Sequence, residues 1–477
     1  MDDGTSHLCL KRRIGNINSI LFWLLLCVPI VGTAEMGNET TTRILNQFGR
    51  NIATLPELIY QSSEHFSNID SANLDGLLER IGDSRLVLLG ESSHGTEEFY
   101  EMRARITREL VEKKGFTVIA AEADWPDASL IDHFISRSNK QPVISYQPFG
   151  GFPSWMWKNQ SIETFLGWLK EYNQQFYSPV HAIRFYGLDI YNLFGSIEAV
   201  LNYLQDVDPA MAEVAYGHYG CLMPWANDPS SYSQFMEFRR HRGCKAQARI
   251  VLNALRKGQA YYQQIDKDRY FDAEQNAHLV INSEHYFRTK YQGVENSWNL
   301  RDESMFQTLL RILDYHGQAS KIVVWAHNSH VGDARATQMR ANGELNLGQR
   351  VRETFGNSAY LIGFGTNKGT VAAASTWGGP MEIMDVPPAR NDSYENVFHS
   401  VKTKNFMLPL RQPILRVLRE KLWPIRLQRG IGTTYDPDPE TEYRKHYFFT
   451  SLLHQFDEYI WFDETQAIQP LDLDLAQ

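Results

Sequence analysis

Cysteine is scarce in this sequence: four residues in 477, too few for a disulfide-knit scaffold. Cys9 and Cys27 lie near the amino terminus, and Cys221 and Cys244 have no further metal-ligand spacing around them. A disulfide and two free, partly buried thiols both fit that second pair. Positive charge is not in excess either. Lys and Arg number 47 against 56 acidic residues, a net charge of -9 that argues against nucleic acid, whose phosphates want a basic face. No solenoid-length repeat and no low-complexity linker divides the chain. The Gly-x-Ser-x-Gly nucleophile elbow is absent, which disfavours an acyl-enzyme on serine and favours direct attack by water. The His-Glu-x-x-His helix of zinc peptidases is absent too.

What is present begins with a targeting signal. Lys11, Arg12 and Arg13 precede an apolar stretch from Ile20 to Val31, and Gly32-Thr33-Ala34 follows as a small-x-small processing site. This order predicts a secretory signal peptide over residues 1–34 and a secreted or periplasmic protein. The stretch is short and broken by Pro29, so no stable membrane insertion is expected after cleavage. Translation from Met36 would instead give a cytoplasmic protein.

Four short apolar runs each end in a polar cluster. Leu86–Leu89 leads into Gly90-Glu91-Ser92-Ser93-His94-Gly95, and Thr117–Ala121 into Glu122-Ala123-Asp124-Trp125. Ile183–Leu188 leads into Asp189, and Ile322–Ala326 into His327-Asn328-Ser329-His330. Continuous apolar runs of this length are the pattern of buried parallel strands. Between the first two lies a helix, with Thr96 to cap it, Glu97 and Glu98 at its positive end and Gly115 to stop it. Open α/β sheets bind ligands beyond the carboxyl ends of their strands, where these ionisable residues gather. Further strands are expected at Tyr360–Phe364 and Tyr459–Phe462.

The expected fold is therefore α/β, a mostly parallel sheet flanked by helices, with a helical insertion covering the carboxyl-end cleft. An N-terminal helical segment would occupy 35–85 and the first part of the core 86–191. The insertion would occupy 192–316, and the second part 317–477, with an irregular Pro- and Arg-rich cover from Pro387 to Pro439.

Glu91 and His94 share the Gly90–Gly95 turn, where glycines would let the chain bend sharply and aim both side chains at one crevice. A histidine beside a carboxylate can be held in one tautomer and serve as a base near neutral pH. Ser92 and Ser93 fit as turn formers. Arg103 lies on the apolar stripe of Phe99, Ile106 and Leu110, so it needs an anionic partner inside the protein. Glu122 or Asp124 could supply that partner, or the guanidinium could face a developing oxyanion. Arg301 repeats the pattern four residues before Met305. Glu122 should lie one strand spacing from the first turn, placed to orient His94 or the attacking water. His327 and His330, three apart, raise the possibility of zinc, but without the zinc-peptidase helix no metal is expected. Trp155 and Trp157 would either line an apolar substrate pocket or fill the core.

Gly90–Gly95 with Glu98-Phe99 resembles the opening motif of the erythromycin esterase family. Ala121-Glu122-Ala123-Asp124-Trp125 is similar to its second motif, and the segment Trp325–Gly332 to its third. Phe152–Trp157, Gly187–Tyr191, Asn299–Asp302, His446–Phe448 and Phe462–Thr465 look like lesser family blocks, so the resemblance runs from about Leu86 to Leu471. It implies a metal-independent, cofactor-free hydrolase that opens a macrolide lactone. The base would be His94, with Glu91, Arg103, Glu122 and His327 completing the site. Arg301, His330, Trp155 and Trp157 would contact a small-molecule ester or macrolide-like substrate. Two other readings stay open: a glycosidase using Glu91 and Glu122, and a non-catalytic periplasmic ligand-binding protein.

Overall fold

The computed structural model describes residues 53–136, 153–175, 182–226, 228–239, 243–290, 293–411 and 416–471. The expected signal peptide lies outside the described residues, as does the N-terminal segment before residue 53.

A nine-stranded sheet organises the molecule. Its strands are β1 (Glu64–His65), β2 (Leu86–Leu89), β3 (Val118–Asp124), β4 (Arg184–Asp189), β5 (Ile322–Trp325), β6 (Ala359–Ala374), β7 (Met381–Val386), β8 (Asn405–Pro409) and, closing the chain, β11 (Glu458–Thr465). The order is β1-β8-β11-β6-β2-β5-β3-β4, with β7 added to the far end of β6. The six strands from β11 to β4 run parallel. β1, β7 and β8 pair antiparallel. β9 (Arg426–Arg429) and β10 (Tyr447–Thr450) form a separate two-stranded sheet.

Every residue of β2 and β5 from Leu86 to Leu89 and from Ile322 to Val324 is fully buried. That is why these runs carry no polar alternation: helices cover both faces of a parallel sheet. One face packs Val87, Leu89, Ile119, Ala121, Val323 and Trp325 against Phe99, Ile106 and Leu110 of the Glu97–Lys114 helix. Gly115 ends that helix in the left-handed region at φ 71°, its N–H returning to Leu110 O. Thr96 stands at the amino-terminal cap, but its hydroxyl pairs with Ser93 Oγ and not with the helix backbone.

Between β4 and β5 the described chain is helical, from Leu193–Val207 to the 23-residue helices Lys267–Thr289 and Val294–His316. Cys221 and Cys244 are joined there as a disulfide. Among the described residues no helix is long and apolar enough to cross a membrane.

Two expectations are corrected. The Pro387–Pro439 stretch is not an irregular cover: it supplies β8, whose buried Phe406, Met407 and Leu408 extend the main sheet, and β9. β2 and β3 are not neighbours, because β5 runs between them, so Glu122 lies two strands from the Gly90–Gly95 turn.

Candidate active site

β2 and β5 end level, with Leu89 in register with Trp325, and Ala121 of β3 stands beside Trp325 with β3 running on to Asp124. The chain segments just beyond them are stitched together by Ala326 N–H to Leu89 O at 3.2 Å and Asn328 N–H to Glu91 O at 2.8 Å. Gly90 and Gly95 are required there for closeness, not for an unusual φ: neither has a positive φ. A Cβ on Gly90 would collide with the Asn328 side chain, and one on Gly95 with the Ala372 carbonyl of β6.

Within this turn His94 Nδ1 lies 2.9 Å from Glu91 Oε1. A carboxylate can only accept, so Nδ1 carries the proton and the lone pair sits on Nε2. Glu91 Oε2 forms an ion pair with Arg103 Nη2 at 2.6 Å, a charge contact without hydrogen-bond alignment. The Arg103 guanidinium is held over the Tyr100 ring at 4.4 Å and the Trp325 ring at 4.8 Å. The anion that Arg103 demands is thus Glu91, and neither Glu122 nor Asp124.

His94 is 6 % exposed, so the turn is buried. The segment after β9 covers it. Ile431 N–H donates to Ser92 O at 2.8 Å, and Gly430 packs beside the His327 ring. The His327 ring centroid is 4.9 Å from that of His94. His327 caps its own short helix, Asn328–Val331, with Nδ1 accepting from Ser329 N–H at 3.2 Å and lying 2.8 Å from Ser329 Oγ. Burial, then the neighbouring His94, pushes its pKa down to about 3, so the ring is neutral with its proton on Nε2. That buried N–H has no acceptor in hydrogen-bond alignment; the Ser92 carbonyl, which also accepts Ile431 N–H, is its nearest backbone partner and slightly favours the charged ring.

Glu122 occupies a second cluster. Its Oε2 accepts His327 N–H at 2.9 Å, and its Oε1 lies 2.6 Å from Arg301 Nη2 and 3.1 Å from His330 Nε2. Burial alone would raise its pKa, but His330 and Arg301 outweigh that and hold it well below the usual range. Arg301 also forks onto Asp189 at 2.9 and 2.6 Å, under the ring of Tyr191. His330 Nδ1 meets Asp302 at 2.9 Å, and its ring stacks on Trp298 at 4.6 Å. Burial opposes its charge, but Asp302 and Glu122 raise its pKa to about 9.

The geometry therefore divides the expected residues. Glu91, His94, Arg103 and His327 come together as one group, joined through the His327 backbone to Glu122. Arg301 and His330, expected against substrate, are instead consumed by Glu122, Asp189 and Asp302, as buried charges must be. Glu122 holds His327 rather than His94. Trp155 and Trp157 lie in the hydrophobic core among Phe165, Phe185 and Trp325, not in a substrate pocket. Asp189 and Asp302 were missed as partners, although both sit in quoted motif blocks and Asp302 directly follows Arg301. Ser329 likewise sits in the third motif, whereas Trp298 left no comparable signal. Among the described residues no group of three or more His, Cys, Asp or Glu is placed to hold a metal ion.

A mainly parallel sheet that gathers a carboxylate–histidine pair and a second imidazole at its strand ends places them where open α/β sheets hold their ligand sites. The erythromycin esterase pattern matches residues 111–465, and the chain belongs to that family. The matched span begins after Glu91, His94 and Arg103. Erythromycin esterase type II of Escherichia coli is 23% identical over 312 residues, 61% of this chain and 71% of its own length. A crystal structure of a Bacillus cereus protein superposes with a TM-score of 0.74 at 20% identity, covering 88% of this chain and 98% of that one. A mutant of the erythromycin esterase EreC in its open conformation gives 0.60 at 16%, covering 85% and 97%. These structural likenesses establish the fold.

Proposed function

We propose that the protein hydrolyses a carboxylic ester or lactone by attack of a water molecule that His94 deprotonates. The observation that carries this reading is the buried Glu91–His94 pair, 2.9 Å apart, beside a neutral His327 whose Nε2–H lacks an aligned acceptor. Glu91 fixes the tautomer, so His94 Nε2 takes a proton as the water oxygen bonds to the carbonyl carbon. The carbonyl π pair moves onto oxygen, and His327 Nε2–H donates to that oxyanion. When the tetrahedral intermediate collapses, the carbon–alkoxide bond breaks and the proton on His94 passes to the leaving oxygen. Arg103 holds Glu91 in place through their ion pair.

Family membership supports a macrolactone as the first substrate to test, and the direct-water route agrees with the missing serine elbow. Glu122, held ionised between Arg301 and His330, suits a structural anion better than the protonated acid a glycosidase needs. Residues 11–34 support an exported enzyme, which cell fractionation checks. The hydrolysis screen runs macrolides, simple lactones and acyl esters against the wild-type protein. Release of acid and alcohol is the expected result, and tight binding of such compounds without turnover would replace the reading with a ligand-binding protein.

A further inference from the structure

β6 is longer than its neighbours and continues past the carboxyl edge of the sheet. It pairs with β7 as a hairpin from Gly369–Val386 to Ala374–Met381. The hairpin is tied to the catalytic turn partway along its length, where Ala372 N–H donates to Gly95 O at 3.1 Å. Five residues further on, at its tip, stands Trp377, 60% exposed. Leaving a large indole in water at a loop tip costs apolar burial, and exposed aromatics on rigid supports are characteristic ligand contacts.

The tip does not project at random. The Trp377 ring lies 6.0 Å from that of Tyr191, which follows β4, and Tyr191 meets Tyr286 of the Lys267–Thr289 helix at 5.4 Å. Tyr191 also covers the Arg301 guanidinium at 4.9 Å, and that guanidinium pairs with Glu122. The hairpin thus runs from the His94 turn to the helical region, and its aromatic tip ends beside the Glu122 cluster.

We infer that Trp377, backed by Tyr191, is an aromatic subsite at the rim of the active site. It takes the apolar body of a bulky ester or lactone while the ester group reaches His94. This rests on the hydrolase reading and adds the part of the substrate that is not cleaved. A face of this kind discriminates by size and apolarity, so small acyl esters bypass it.

The test compares wild type, Trp377→Ala and Trp377→Phe on a 14-membered macrolactone and on p-nitrophenyl acetate. Trp377→Ala should raise KM for the macrolactone about tenfold, with kcat within twofold and p-nitrophenyl acetate kinetics unchanged; Trp377→Phe should restore most of the affinity. If wild type cleaves neither, the hydrolase reading fails by itself, and calorimetric binding of the macrolactone decides the subsite. Binding weakened about tenfold by Trp377→Ala and rescued by Trp377→Phe supports it. Equal effects on both esters, no effect on either, or no macrolactone binding by wild type overturns it.

Discussion

Glu91 Oε1 stands 2.9 Å from His94 Nδ1, and the same carboxylate meets Arg103 at 2.6 Å through its other oxygen. The buried anion therefore divides its charge between an imidazole it orients and a guanidinium that stabilises it. Glu91→Gln keeps the shape and removes the charge. The amide can accept from Nδ1–H but gives no ionic support to an imidazolium. We expect kcat to fall by about 10²-fold or more, with KM little changed, on whichever ester the screen identifies. Steady-state kinetics on the folded variant checks it.

Arg103 lies behind Glu91, so its loss should act through that carboxylate. Arg103→Met should cost about 3–5 kcal/mol of stability, as breaking a buried pair does, and should lower kcat. A double-mutant cycle separates the two possible roles. In a Glu91→Gln background Arg103→Met should lower kcat little further. A direct oxyanion donor would instead subtract a further factor of about 10².

The His330 cluster predicts a pH dependence of stability. Its pKa is raised from 6.5 to about 9 against burial by Asp302 and Glu122, so the folded state holds a proton that the unfolded chain releases near neutrality. The resulting stabilisation is fully present below pH 6.5 and lost as pH rises through about 9. Its size is at most about 3 kcal/mol. Chemical denaturation between pH 6 and 10 should show stability declining across that window, and Asp302→Asn should flatten the decline.

No zinc-peptidase spacing surrounds His327 and His330, and both rings are occupied by protein partners on at least one nitrogen. Activity should therefore survive exhaustive chelation, and the purified protein should carry no stoichiometric zinc. Loss of activity restored by one equivalent of metal would make these histidines ligands.

Much of the sheet was legible because burial on both faces leaves an uninterrupted apolar run. β2 and β5 stop before their polar clusters, while β3 and β4 run on into theirs, to Asp124 and Asp189. What sequence does not encode locally is adjacency. Nothing in β2 or β3 shows that β5 separates them, so Glu122 was assigned to the wrong histidine. The charge of Arg103 and Arg301 on apolar stripes announced buried partners, but not which ones. Trp155 and Trp157 carry no mark that distinguishes core from pocket. The burial of His94 depends on Gly430 and Ile431, brought from the far end of the chain, and no spacing within the Gly90–Gly95 turn contains that information.

The central claim is that His94 is the base. Its backbone carbonyl, which accepts Tyr100 Oη–H at 2.8 Å, survives substitution, so the turn should keep its shape without the ring. The most direct measurement is kcat for His94→Ala and His94→Gln on the ester that wild type cleaves, with thermal melts on the same preparations. The account predicts a fall of at least about 10²-fold in both variants while the melting transition stays cooperative. Near-normal turnover in either folded variant would contradict it.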